Sequence, residues 1–322
     1  MKYIFDNVSY DCSKTVTKTY STSFSLATKM LSKSIRQDIY NIYGFVRFAD
    51  EIVDSFHDFD KNELFNKFED DLKLAIQNKI SLNPILNAFQ YTFHKYKIDI
   101  SLVDAFMKSM RMDLHKSEYL TNEEYKAYIY GSADVVGLMC LKVFVNGNQK
   151  KYDDLQETAM SLGSAFQKVN FLRDLKADFE GLNRTYFPNT DLANLDELAK
   201  QNIINDIESD FGKGLEGIRK LPMEAKFGVF MAYRYYSQLL KKLKKTPALD
   251  IKNTRIRNVN QDVIDLAYKA CLKHKEKLNK IDGIIFVTQT PRYLLPSCSC
   301  ILQDKLKLKE KCFIASKTFR GS

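Results

Sequence analysis

The chain has 322 residues, 45% of them hydrophobic, and carries only 12 glycines and 6 prolines. That supply of apolar residues with so few turn formers argues against a sandwich or barrel of short strands and for long helices. The formal net charge of +9 suits an anionic partner. No run of about 18 apolar residues predicts a membrane span, and the opening Met1-Lys2-Tyr3-Ile4 lacks the apolar core of a signal peptide. A cytoplasmic location is the expectation.

In chain order, a Ser-, Thr- and Lys-rich stretch, 12–34, leads into a first long helix from about Ser34. Ile39, Ile42, Tyr43, Val46 and Val53 share one face of it. Asp50 and Asp54 continue that stripe, about 6 Å apart along the axis. Two carboxylates on a face expected to be buried are costly unless a positive charge meets them. Mg²⁺, which takes one or two carboxylates plus substrate phosphates, is the obvious candidate. A polar break at 58–63 precedes an amphipathic helix over 61–78, and Asn83-Pro84 opens the next. Residues 102–114 read as helix, with Phe106, Met110 and Asp113 down one side. Thr121-Asn-Glu-Glu124 has capping-box character and starts a helix bearing Tyr125, Tyr128, Gly131, Val135 and Leu138; Asn146-Gly147 reads as a turn.

The spacing over 153–180 predicts a long helix with a second pair, Asp174 and Asp178, and with Asn170 and Gln167 just upstream. One such pair alone reads as a solvated helix edge. Two pairs, each on an amphipathic helix with Arg47 or Arg173 beside it, read as a clamp for a diphosphate held through metal ions. A loop over 181–188 contains Arg184. Helices resume from about Leu195, with an aromatic run from Phe227 to Tyr236 and a last helix over 263–280. Beyond Asp282 the character changes: Gly283–Thr288 reads as strand, and 282–322 hold seven basic residues against three acidic ones. The division expected is a domain over 1–281 and a tail over 282–322 with no assigned role. The six cysteines show no disulfide framework or metal spacing. The four histidines pair with no nucleophile, and no glycine-rich phosphate loop, dinucleotide fingerprint or internal repeat is present.

Ser21-Thr-Ser-Phe24, Arg47-Phe-Ala-Asp50-Glu-Ile-Val-Asp54, Met110-Arg-Met-Asp-Leu114, the stretch Tyr128–Met139, Asn170-Phe-Leu-Arg173-Asp174 and Arg184-Thr-Tyr186-Phe-Pro188 occur in an order and spacing that resemble the squalene/phytoene synthase family. The likeness covers roughly 15–275 and is greatest to bacterial phytoene synthases. It is smaller to eukaryotic squalene synthases, which tend to carry a C-terminal membrane anchor; none is expected here. The resemblance implies an all-α, single-domain helical bundle of the isoprenoid synthase type with a central substrate cavity. It implies head-to-head condensation of two prenyl diphosphates. Asp50, Asp54, Asn170, Asp174 and Asp178 would hold Mg²⁺ or Mn²⁺. Arg47, Arg173 and Arg184 would contact diphosphate, a task suited to the guanidinium fork, and Ser21, Gln167 and Asn170 would assist. Tyr43, Tyr128 and Tyr236 would face the allylic cation, although tyrosines at helical spacing also serve as plain core. The catalytic set is then Arg47, Asp50, Asp54, Tyr128, Asp174 and Asp178.

Within that family the reading favours two geranylgeranyl diphosphates and phytoene, with no NADPH. Squalene or dehydrosqualene from two farnesyl diphosphates is the near alternative, and a catalytically silent assembly factor the distant one. Nucleic acid is not an expected partner. Peripheral membrane contact is expected from an apolar product, and the sequence leaves the oligomeric state open. Two departures stand out. Asn183 precedes Arg184 where the family usually has Gly, and Asp134 falls in Ala133-Asp134-Val135 where it usually has Ala-Gly-Thr, which places an extra acid near the expected pocket.

Overall fold

The computed structural model describes residues 1–116, 119, 121–182, 187, 195–253, 283–288 and 313–318, with backbone alone over 176–182, 252–253 and the last two segments. The chain divides into two compact units, Met1–Ile256 and Arg257–Ser322. The boundary expected at 281/282, the helix expected over 263–280, and Arg184 lie outside the described residues.

The first unit is all helix where described. Its elements are α1 (Lys2–Tyr20), α2 (Thr22–Lys29), α3 (Lys33–Ser55), α4 (Lys61–Asn78), α5 (Pro84–Tyr96), α6 (Ile100–Asp113) and α7 (Asn122–Ile129). A π-turn (Tyr130–Asp134) leads to α8 (Val135–Phe144), followed by α9 (Gln149–Leu182), α10 (Glu197–Lys220), α11 (Met223–Lys245) and α12 (Ala248–Asn253). Side-chain caps fix several starts. Asp60 accepts from the Glu63 N–H at 3.0 Å, Asn83 from that of Ile85 at 3.0 Å, and Asp99 from that of Ser101 at 2.9 Å. Thr121 and Glu124 close a full capping box, which satisfies two donors that the first turn leaves unpaired.

Helix α1 was not expected, and its packing explains why. Its fully buried residues are Ser9, Ser13 and Thr17, and its apolar stripe is thin, with Cys12 and Val16 only partly buried against the core. Ser9 and Thr17 donate to carbonyls one turn back, both at 2.9 Å. The small side chains let α3 approach so closely that a Cβ on Gly44 would sit 2.9 Å from Ser13 Cβ. Asn87 on α5 then donates to Ser9 Oγ at 3.2 Å and Gln37 on α3 to the Tyr10 carbonyl at 2.9 Å.

Two apolar clusters fill the bundle. One joins α3–α6, α8, the start of α9 and the end of α10 around Phe45, which stacks on Phe89 with centroids 4.0 Å apart. The other joins α7, the later part of α9, α10, α11 and α12. Leu162 and Tyr233 pack against both. The stretch Asn122–Phe144 is long and apolar enough to cross a membrane, but 61% of its apolar window is buried in the bundle. The second unit contributes β1 (Gly283–Thr288), as expected, and β2 (Phe313–Thr318), which was not; they pair in parallel with Gly283 opposite Phe313.

Candidate active site

Tyr43, Arg47, Asp50 and Asp54 stand three or four residues apart on α3, so they rise in one column. Tyr43, Arg47 and Asp50 join Phe106 and Met110 of α6, Tyr128 of α7, Ser132 of the π-turn and Gln167 of α9 around a polar chamber of about 160 Å³. Ser132, Gln167, Tyr43 and Val46 also line an adjoining apolar cavity of about 290 Å³. Along α9 the cavity wall runs from Leu155 to Asn170, about 22 Å at 1.5 Å per residue. Asn170, Tyr235 and Tyr236 mark its polar end, and Phe144 and Leu221 belong to its apolar lining.

The arginines already hold the aspartates. Arg47 donates to both Asp50 and Glu51, and Arg173 forms a two-pronged pair with Asp174. Burial works against the Arg47 charge, but Asp50 and Glu51 outweigh it and keep the guanidinium above its ordinary pKa. Arg173 is shifted upward in the same way, with Asp174 overcoming burial. Asp50 was expected on a buried face; its side chain is 32% exposed. It sits at the rim of the chamber, where a solvated ligand can reach it.

Burial pushes the Tyr43 phenol up to about 12, against a hydrogen bond from Ser21 and the pull of Arg47. Its ring stacks on Phe24 at 4.4 Å. Burial raises Tyr236 too, with Arg173 and a hydrogen bond donated by Asn170 opposing. Both phenols stay protonated at neutral pH. Ser21 caps α2 by accepting from the Phe24 N–H at 3.2 Å; Ser23, not Ser21, lines the cavity. Tyr128 donates to Asp113 Oδ2 at 2.9 Å, and Tyr119 donates to Oδ1 at 3.2 Å. Sequence reasoning placed Asp113 on the right face of α6 without giving it this task. The signal was a carboxylate in register with Phe106 and Met110.

Asp134 turns away from the cavity. Ser132, Ala133 and Val136 line it, while the Asp134 carboxylate accepts from Ser164 Oγ at 2.7 Å. The extra acid expected beside the pocket therefore leaves the cavity wall apolar. Burial lifts Asp134 to about 7, with Ser164 and Lys168 opposing and Asp210 adding to the shift. A carboxyl raised in the folded state binds its proton more tightly there than in the unfolded chain. Stability is therefore highest below about pH 4 and declines as pH rises to 7. Asp134→Asn, which retains an acceptor for Ser164, should raise stability by roughly 4 kcal/mol at pH 8 and by only about 1 kcal/mol at pH 4.5. Urea unfolding at the two pH values checks this, and equal effects at both would refute it.

The structure thus brings Tyr43, Arg47, Asp50, Tyr128 and Gln167 to one chamber, and Asn170 and Tyr236 to the adjoining cavity. Asp54 and Asp174 lie one turn further along α3 and α9, and Asp178 is on α9 with its side chain outside the described residues. Among the described residues no three acidic, histidine or cysteine side chains converge.

The family model for squalene/phytoene synthase matches residues 17–260. The chain belongs to the squalene/phytoene synthase family. It is 28% identical over 274 residues to a phytoene synthase of Arthrospira platensis, spanning 77% of this chain and 87% of that one. It is 29% identical over 256 residues to a 15-cis-phytoene synthase of Synechocystis, spanning 72% and 75%. Its fold is similar to squalene synthase HpnC from Alicyclobacillus acidocaldarius, with a TM-score of 0.65 at 19% identity, covering 75% of this chain and 95% of the other. A dehydrosqualene synthase solved with a ligand gives 0.64 at 20%, covering 74% and 96%. Members of the family are prenyltransferases that condense isoprenoid diphosphates head-to-head, and this chain is one of them. The family depends on a divalent metal. The donors here fit one: they are hard carboxylate and amide oxygens, and Asn170 Oδ1 is buried with no hydrogen-bond partner.

Proposed function

We propose that the protein is a 15-cis-phytoene synthase, condensing two geranylgeranyl diphosphates through prephytoene diphosphate to phytoene in carotenoid biosynthesis. The observation that carries this reading is a long apolar cavity that opens onto a chamber lined by Arg47 and Asp50. A wall of about 22 Å along α9 accommodates an extended twenty-carbon chain with its diphosphate at the Gln167–Asn170 end. The named cyanobacterial relatives point the same way.

Asp50, Asp54, Asn170, Asp174 and Asp178 would hold Mg²⁺, or Mn²⁺ in its place. When bound, the metal supplies positive charge to the departing diphosphate. Arg47 and Arg173 turn their forks from carboxylate to phosphate oxygens, and Arg184 joins them. Gln167, oriented toward Ser132 at 3.5 Å, positions the polar end, and Ser21 acts through its hydrogen bond to the Tyr43 phenol. Tyr43, Tyr128 and Tyr236 present electron-rich faces to the allylic cation, and the apolar walls keep water from capturing it. The Asp113 carboxylate fixes the Tyr128 ring. No nicotinamide enters this scheme. We place the enzyme in the cytoplasm, with contact at a membrane surface to release its product. Residues 1–281 form the synthase domain in this reading, with 282–322 appended.

The test is incubation of purified protein with Mg²⁺ and each prenyl diphosphate in detergent, with hydrocarbons identified by mass. Phytoene from geranylgeranyl diphosphate alone is the expected result. A thirty-carbon product from farnesyl diphosphate would move the enzyme to the squalene or dehydrosqualene branch. Folded protein giving no product would leave a silent scaffold.

A further inference from the structure

Two helices that wall the apolar cavity also carry exposed apolar residues on their outer side. On α11, Met223, Phe227, Phe230 and Met231 are exposed. They are spaced four, three and one apart, which is one helical stripe directed at solvent instead of the core. On α2, Leu26 and Met30 are exposed one turn apart. The helices touch along a thin seam: a Cβ on Gly228 would lie 3.0 Å from the Ala27 carbonyl oxygen, and the Ser32 N–H donates to the Glu224 carbonyl at 2.8 Å. Inward, Phe24, Ala27 and Thr28 of α2 and Gly228, Val229 and Ala232 of α11 line the cavity. A single layer of helix therefore separates the cavity from this face.

We propose that the outer face of α2 and α11 docks on an anionic lipid surface. This rests on the reading above only in that the product is a hydrocarbon too apolar to leave into water. The charge around the stripe selects the partner. Residues 22–33 and 223–234 contain Lys29, Lys33, Lys226 and Arg234 against one acid, Glu224. Lys33 and Arg234 are exposed, and Lys29 and Lys226 are half-buried. Cations flanking exposed Phe and Met side chains are the pattern of an interfacial helix, in which apolar groups enter the headgroup boundary and lysines meet anionic lipid. A protein partner would leave these cations at the rim with no assigned counter-charge. Docking here also places a cavity wall one helix thick against the bilayer.

The experiment is co-sedimentation of the full chain with phosphatidylcholine vesicles, with and without phosphatidylglycerol, at low and high salt. The wild type should pellet with the anionic vesicles and be released by salt. The double variant Phe227→Ser, Met231→Ser should bind at least about tenfold more weakly, because two side chains lose their burial in lipid. Its turnover in detergent should match wild type, as neither residue lines the cavity. A wild type that ignores anionic vesicles, or a variant that binds as well as wild type, would overturn the proposal. So would a wild-type dimer that the variant converts to monomer, since a second copy would then cover the face. Vesicle binding without hydrocarbon formation would keep the docking surface and discard the product assignment. Hydrocarbon formation without vesicle binding would do the reverse.

Discussion

Asp50→Asn should lower turnover by about 10³-fold or more while leaving the fold intact. The carboxylate sits at the rim of the polar chamber, one turn from Arg47 and in the same column as Tyr43. Replacing it removes a full negative charge from the place where cationic charge must gather on the leaving diphosphate, and losses at such positions fall at the large end of single-residue effects. The fold survives for a structural reason. Arg47 keeps Glu51 as a partner, so no unpaired guanidinium is left partly buried, and the 32% exposure of Asp50 leaves room for the amide. Asp174→Asn should behave alike, since the amide oxygen can still accept from Arg173. Steady-state rates in detergent, with thermal unfolding alongside, check both. Turnover within a few fold of wild type in either variant would remove that aspartate from the clamp.

Elements whose buried face is apolar were readable from sequence to within a few residues. Helix α4 runs over Lys61–Asn78 as the periodicity required, and the capping box at Thr121 opens α7 where expected. Helix α1 was not readable because its fully buried side chains are the hydroxyls of Ser9, Ser13 and Thr17, and binary patterning does not register such a face. The π-turn was hidden for a different reason. An extra residue per turn leaves a stretch such as Tyr128–Leu138 looking like one helix, and only the i+5 bond from Val135 N–H to the Tyr130 carbonyl reveals it.

The site was partly readable on the same terms. Spacing placed Tyr43 and Asp50 on one stripe with Arg47 beside them, and the three share a chamber with Gln167 of α9; that Asp50 and Asp54 face Asp174 and Asp178 stays a proposal. What spacing does not give is which way a side chain leaves its helix. Asp134, at the end of the π-turn, lies between cavity-lining neighbours and yet points to Ser164 of α9. Tyr128 lines the chamber with its hydroxyl already committed to Asp113, a tertiary contact between α6 and α7 that local pattern leaves open.

The cavity's length makes a second strong prediction. Ala159 lines it eight residues before Gln167, about 12 Å back from the polar end, and the Gly137 backbone of α8 lies opposite, with a Cβ there 3.3 Å from the Ala159 carbonyl oxygen. A phenylalanine at 159 has no side to move to and must project into the channel. Ala159→Phe should therefore cut kcat/KM with geranylgeranyl diphosphate by at least about 100-fold, the scale on which filled hydrophobic pockets reject a chain that no longer fits. Farnesyl diphosphate should fare almost as badly, because its chain also passes that point. Leu155→Phe, four residues further from the diphosphate end, trims only the far end of the cavity and should penalise the longer substrate more than the shorter. The gradient is the test. Loss at Ala159 with discrimination at Leu155 means that the chain lies along α9 toward Leu155. Equal kinetics in both variants would mean that it runs elsewhere, and the substrate length inferred from this wall would fall with it.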